Sequence, residues 1–159
     1  MATPQQIPET RLQLRRTFAA PREKVYRAWT ELEGLDQWMC RDVPTHRVKY
    51  SELNVTPGGR YAIDVKDSAN GDSYTGCGVY REVTPPAKLV FTWAWTHKKA
   101  DGSVVALHPE SRVTVEFFKR GKSTEMVLTH EFLQTVKDRE EHEQGWTGCF
   151  DILAKVLET

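Results

Sequence analysis

The stretch "HEQGWTGCFDILAKVL", His142 to Leu157, sets its apolar residues at helical spacing, whereas most of what precedes it alternates. His142, Gly145, Trp146, Cys149, Phe150, Ile152, Leu153, Val156 and Leu157 fall on one stripe. Glu143, Gln144, Thr147, Asp151, Lys155 and Glu158 lie mostly on the other side. A helix of about 20 residues spans roughly 30 Å, enough to cross a small sheet. Glycine inside a helix costs about 1 kcal/mol relative to alanine, and this helix carries two. Gly145, on the stripe, either lets the backbone approach a sheet closely or leaves space beneath the helix. Gly148 lies nearer the stripe's edge, so the spacing predicts that leucine at 145 is worse for stability than leucine at 148.

The rest of the chain supplies the sheet. "RLQLRRTF" alternates Leu12, Leu14 and Phe18. The period then changes: Pro21 suits a first helical turn, and Val25, Ala28, Trp29 and Leu32 follow at helical spacing. Gly34 is expected to break this helix, with a second short one over Leu35 to Trp38. Beyond it, "RYAIDVKD", "YTGCGVYREV", "KLVFTWAW", "RVTVEFF" and "EMVLTHEF" read as strands. Turn chemistry separates them at Pro57–Gly59, Asn70-Gly71, Asp101-Gly102 and Gly121. Gly76 and Gly78 predict a bulge or a close backbone approach. The order is strand, two helices, about six meandering strands and one long helix. A meander buries one face and wets the other, and the last helix is the natural cover for the buried face.

"AAPREKVYRAWTELEGLDQW", "VTPGGRYAIDV", "GCGVYREVTPPAKLVFTW" and "VLTHEF…HEQGW", in that order, resemble the motifs of the START-like helix-grip (SRPBCC) superfamily. The branch they are most similar to holds bacterial relatives of the Aha-type activator of the ninety-kilodalton heat-shock chaperone's ATPase. The resemblance covers about residues 11 to 157. It implies an α+β helix-grip fold: a curved antiparallel sheet of about seven strands wrapped around the C-terminal helix, with a cavity between them. It does not imply one activity, since members bind lipids, sterols, hormones or polyketides and some are cyclases or aromatases. Chaperone activation is the weaker implication, because 159 residues leave no room for the eukaryotic activator's separate N-terminal domain.

Length and composition bound the alternatives. The 159 residues make one domain, expected over 11–159 behind a flexible tail at 1–10 that holds Pro4 and Pro8. Lys+Arg and Asp+Glu both number 22, so there is no global field for nucleic acid or an anionic membrane. No stretch is apolar enough to span a bilayer, and "MATPQQIPETRLQL" lacks a signal-peptide pattern. Cys40, Cys77 and Cys149 are odd in number and far apart, which fits a reducing cytoplasm.

The five histidines, 46, 97, 108, 130 and 142, have no metal-ligand spacing, and there is no Cys-x-x-Cys. No phosphate loop or nucleophile elbow is present. No cofactor or metal is therefore expected, and binding is favoured over catalysis. Alternation points Tyr61, Trp93, Trp95, Phe117 and His130 to one face, and the helix stripe points Trp146 and Phe150 back at them. These seven are the expected lining of an apolar pocket; a histidine on an apolar strand face is usually a hydrogen-bonded core residue, and the other reading of His130 makes it the pocket's polar handle. The reading is a carrier or sensor of a small hydrophobic, aromatic or lipid-like molecule, monomeric or homodimeric. Its alternatives are a cyclase or hydrolase using the same cavity and an interaction module for a chaperone.

Overall fold

The computed structural model describes residues 10–158; the tail expected at 1–10 lies, up to residue 9, outside the described residues. β1 (Leu12–Phe18) leads into α1 (Arg22–Thr30) and α2 (Leu32–Trp38). Then come β2 (His46–Leu53), β3 (Arg60–Asp67), β4 (Ser73–Thr84), β5 (Lys88–Lys98), β6 (Val104–Arg120), β7 (Ser123–Glu131) and α3 (Val136–Leu157). The strands form one antiparallel sheet in the order β1-β7-β6-β5-β4-β3-β2. β2 to β7 are a meander, and β1 extends it beside β7, pairing Leu12 with His130 and Phe18 with Thr124. The element order is the one that the switches of period predict, and the fold is the α+β helix-grip fold that the resemblance implies.

The three helices cover one face of the sheet. Tyr61, Ile63, Leu89, Phe91, Val113, Val115, Phe117, Met126 and Leu128 alternate onto that face and are buried. α3 contributes Trp146, Cys149, Phe150, Leu153 and Leu157. The aromatic centre of this core is Trp29 of α1, whose ring lies 6.5 Å from Phe117 and 6.2 Å from Phe150, between centroids. Its indole N–H reaches Met126 Sδ at 3.2 Å. Trp38 is also fully buried and donates to the Ala28 carbonyl at 2.9 Å. Burying a large apolar side chain completely contributes about 1.5–3 kcal/mol, so this aromatic cluster is a principal source of stability.

Two local expectations need correction. The α1–α2 break falls at Glu31, which is extended (φ −109°, ψ 139°), and not at Gly34. Gly34 sits inside α2, where an added Cβ would lie 2.9 Å from Ala28 Cα, so the glycine permits the two helices to cross closely. Phe132 does not continue the buried set of β7. The strand ends at Glu131, Phe132 turns outward with φ 67° and is 60% exposed, and the Arg112 guanidinium lies 5.0 Å from its ring centroid. At the start of α3, Thr135 is the N-cap, its hydroxyl accepting the Asp138 N–H at 3.0 Å.

The β4 glycines do provide close approach. Gly76 pairs with Trp95, and a Cβ there would meet the indole at 2.6 Å. A Cβ on Gly78, paired with Tyr61, would meet that ring at 2.7 Å. An aromatic ring thus packs closely against each of these glycines, at Gly78 together with the Thr92 carbonyl, and β4 shifts register between Tyr80 and Glu82.

Candidate functional site: a cleft under the last helix

Where the amino-terminal half of α3 passes over β3, β4 and β5, a cleft of about 290 Å³ remains. Trp93 and Trp95 of β5 and Trp146 of α3 form its aromatic wall, with Tyr74 of β4 and Val65 of β3 beside them. Trp93 and Trp146 are tilted against each other at 4.9 Å between centroids, and Trp93 and Trp95 meet edge to face at 5.6 Å. The α2–β2 connection supplies Met39, Cys40, Asp42 and Val43, and the arm formed by the end of β5 and the start of β6 supplies Leu107 and His108.

The two helix glycines explain why the space exists. A Cβ on Gly145 would meet nothing within 4 Å, and Gly145 lines the cleft. A Cβ on Gly148 would lie 2.9 Å from Asp42 Cβ. The close approach is therefore at Gly148, where α3 meets the α2–β2 connection, and Gly145 leaves room. This reverses the expected ranking of the two positions: the stripe shows which way a residue faces but not how far away the opposite wall stands.

Of the seven residues expected to line a pocket, Trp93, Trp95 and Trp146 do so. Phe117 and Phe150 lie in the Trp29 cluster. Tyr61 packs against Tyr80 and Phe91 and donates its hydroxyl to the Thr92 carbonyl. His130, with no exposed surface, stands behind the wall. Trp146 Nε1–H donates to His130 Nδ1 at 3.2 Å, and Ser111 Oγ lies 2.7 Å from His130 Nε2. Because Nδ1 accepts, the proton sits on Nε2 and is donated to Ser111, whose hydroxyl donates onward to the Trp93 carbonyl at 3.0 Å. Burial, reinforced by His142 and His108, lowers the pKa of His130 to about 2. It is a neutral strut that fixes the position of one indole wall.

The nearby polar groups have limited chemistry. His142 Nδ1–H donates to the Asp138 carbonyl at 2.7 Å, which leaves Nε2 as an acceptor. Burial also lowers the His142 pKa. Burial pushes the Cys40 thiol up to about 12 and raises Cys149 as well, so neither is a ready thiolate. Among the described residues no group of three or more His, Cys, Asp or Glu is arranged to hold a metal. The Trp93 Nε1–H is buried without a hydrogen-bond partner, an unusual state for an indole in a wall.

The model of the family described as "Activator of Hsp90 ATPase homolog 1-like protein" matches residues 19–158. The chain belongs to this family. A solved protein of the family from Silicibacter pomeroyi is 26% identical, with a TM-score of 0.76 over 93% of this chain and 97% of its own. A protein from Chromobacterium violaceum superposes with a TM-score of 0.80 at 22% identity, covering 94% and 98% of the two chains. One from Arthrobacter aurescens gives 0.78 at 17% identity, covering 94% and 87%. The comparison with curated proteins finds no match.

In this member of the Hsp90-activator-like family, sequence reasoning missed the residues that lie outside regular alternation. Asp42 and Val43 sit in a connection, and Leu107 and His108 lie on an arm whose side chains are mostly exposed. Tyr74 opens β4 two residues before Gly76, and its ring stacks on His97 at 4.6 Å. A glycine opposite a tryptophan was the available signal for Trp95; nothing in the spacing signalled Ser111.

Proposed function

We propose that the protein binds a small, flat, hydrophobic molecule in the cleft between the sheet and α3. The observation that carries this is the pairing of three indole walls, from Trp93, Trp95 and Trp146, with the side-chain-free surface at Gly145. Ligand pockets run from about 300 to 1,000 Å³, and an apolar cavity of about 150 Å³ holds benzene. A cleft of about 290 Å³ fits a one- or two-ring aromatic better than a sterol or a long lipid. The reading requires no catalytic step, and three free cysteines are in keeping with a cytoplasmic carrier or sensor. Calorimetric titration with indole tests it. The wild-type protein should bind, and Gly145→Leu, whose Cβ has open space and whose side chain would occupy the cleft, should weaken binding by about tenfold or more. Absence of any binding to the wild type would remove the reading.

A second reading follows from the family description, which names activation of the Hsp90 ATPase. The β5–β6 arm exposes Val104, Val105 and Leu107, which suits contact with another protein. Stimulation of the ATPase of a bacterial Hsp90 homologue by the purified chain, and its loss on replacing Val104 and Val105 with serine, would support this role. No stimulation would discard it.

A further inference from the structure

The charged and polar side chains of the cleft are not evenly divided in sign. Its lining includes two carboxylates, Asp42 and Glu141, and no Lys or Arg. Neither carboxylate takes part in an ion pair among the described residues; Asp42 accepts only from the Cys149 thiol, at 3.6 Å. Both residues are exposed, so they stand where the cleft meets solvent. Two histidines of the lining already face carboxylates: His46 Nε2 lies 3.8 Å from Asp67 and His108 Nδ1 lies 3.7 Å from Asp138. Whatever their protonation, they offer little free positive charge. His142 presents its acceptor nitrogen, since Nδ1–H is committed to the Asp138 carbonyl. The walls themselves are electron-rich: indole faces attract cations and repel anions.

We propose that the cleft selects an aromatic molecule carrying a protonated amine over the same ring system carrying a carboxylate. This rests on the reading that the cleft binds small aromatics, and specifies their charge. The ring lies among Trp93, Trp95 and Trp146, and the ammonium remains at the rim near Asp42 and Glu141. That placement avoids most of the penalty for burying a charge, because the cation stays partly hydrated. A carboxylate at the same rim meets two like charges and no cationic partner.

The test is calorimetric titration of the whole chain with indole, tryptamine and indole-3-acetate at low and high salt. Tryptamine should bind more tightly than indole-3-acetate by about tenfold or more at low salt, the equivalent of a 1.4 kcal/mol difference. The ratio should shrink as salt screens the rim. In the double variant Asp42→Asn, Glu141→Gln, checked for fold by circular dichroism, it should fall toward one. If indole binds but tryptamine holds no advantage over indole-3-acetate, the charge preference is overturned and the aromatic-binding reading stands. If the advantage persists undiminished in the double variant, the assignment to these carboxylates is overturned. If indole itself does not bind, both readings fail.

Discussion

Trp146 of α3 donates its indole N–H to Nδ1 of His130 on β7, at 3.2 Å, across the contact between helix and sheet. The bond joins two elements by their buried faces and continues through Ser111 to the Trp93 carbonyl. His130→Leu keeps the volume but strands the Trp146 N–H and removes the donor to Ser111. A buried donor left unpaired costs about 1–3 kcal/mol, so the variant should lose about 2–4 kcal/mol in a urea melt. An unchanged midpoint would show that the network does not hold α3 to the sheet.

Acid should weaken the fold through the same residue. An unfolded histidine takes up a proton near pH 6.5, whereas folded His130 resists it down to about 2. The stability it contributes is complete above pH 6.5 and is lost progressively as pH falls from there toward 2. The slope approaches about 1.4 kcal/mol per pH unit for one group. His142, shifted in the same direction, adds to the loss. Melts from pH 7 to pH 5, above most carboxylate titration, should show a distinctly flatter slope in His130→Gln than in the wild type.

The two glycines of α3 should respond oppositely to alanine. Gly145→Ala meets no neighbour within 4 Å and should gain about 0.5–1 kcal/mol from helix propensity. Gly148→Ala must push Asp42, 2.9 Å away at Cβ, and should lose about 1–3 kcal/mol to overpacking. Denaturant midpoints that move in the same direction would contradict this assignment of open and closed sides.

Gly76 is the support of Trp95. With a Cβ 2.6 Å from its ring, Gly76→Val must displace the indole that forms one wall of the cleft. The variant should shift the Trp95 side-chain resonances in an NMR spectrum and lower stability by about 1–3 kcal/mol. Unmoved resonances would mean the ring does not rest on that strand.

Much of the architecture was legible because it follows from periodicity. Alternation in "KLVFTWAW" placed Leu89, Phe91 and Trp93 on the buried face, and the stripe of α3 placed Trp146, Phe150 and Leu153 against it. What periodicity does not encode is depth. Phe117, His130 and Trp93 share a face, yet α1 inserts Trp29 over Phe117 and leaves Trp93 at the edge of the cleft. The helix that fills half of the concavity is recognisable in the sequence, but the half it fills depends on the angle at which it crosses. Gly148 likewise looked peripheral on the stripe, because its neighbour Asp42 comes from a connection 106 positions earlier in the numbering.

The pairing of Leu12 with His130 has a consequence for how the chain reaches this state. The first strand has no partner until the seventh has been made, and the sheet's buried face has no roof over its cleft end until α3 follows. During synthesis, Phe91, Trp93 and the other aromatics of β3 to β6 are therefore displayed to water while the ribosome is still adding the residues that will cover them. Such a nascent chain exposes apolar surface and unpaired strand edge together, the combination most prone to self-association. Contacts this distant along the chain also slow the search for the native arrangement, so the last third of the polypeptide governs both when the protein becomes safe and when it can first hold anything.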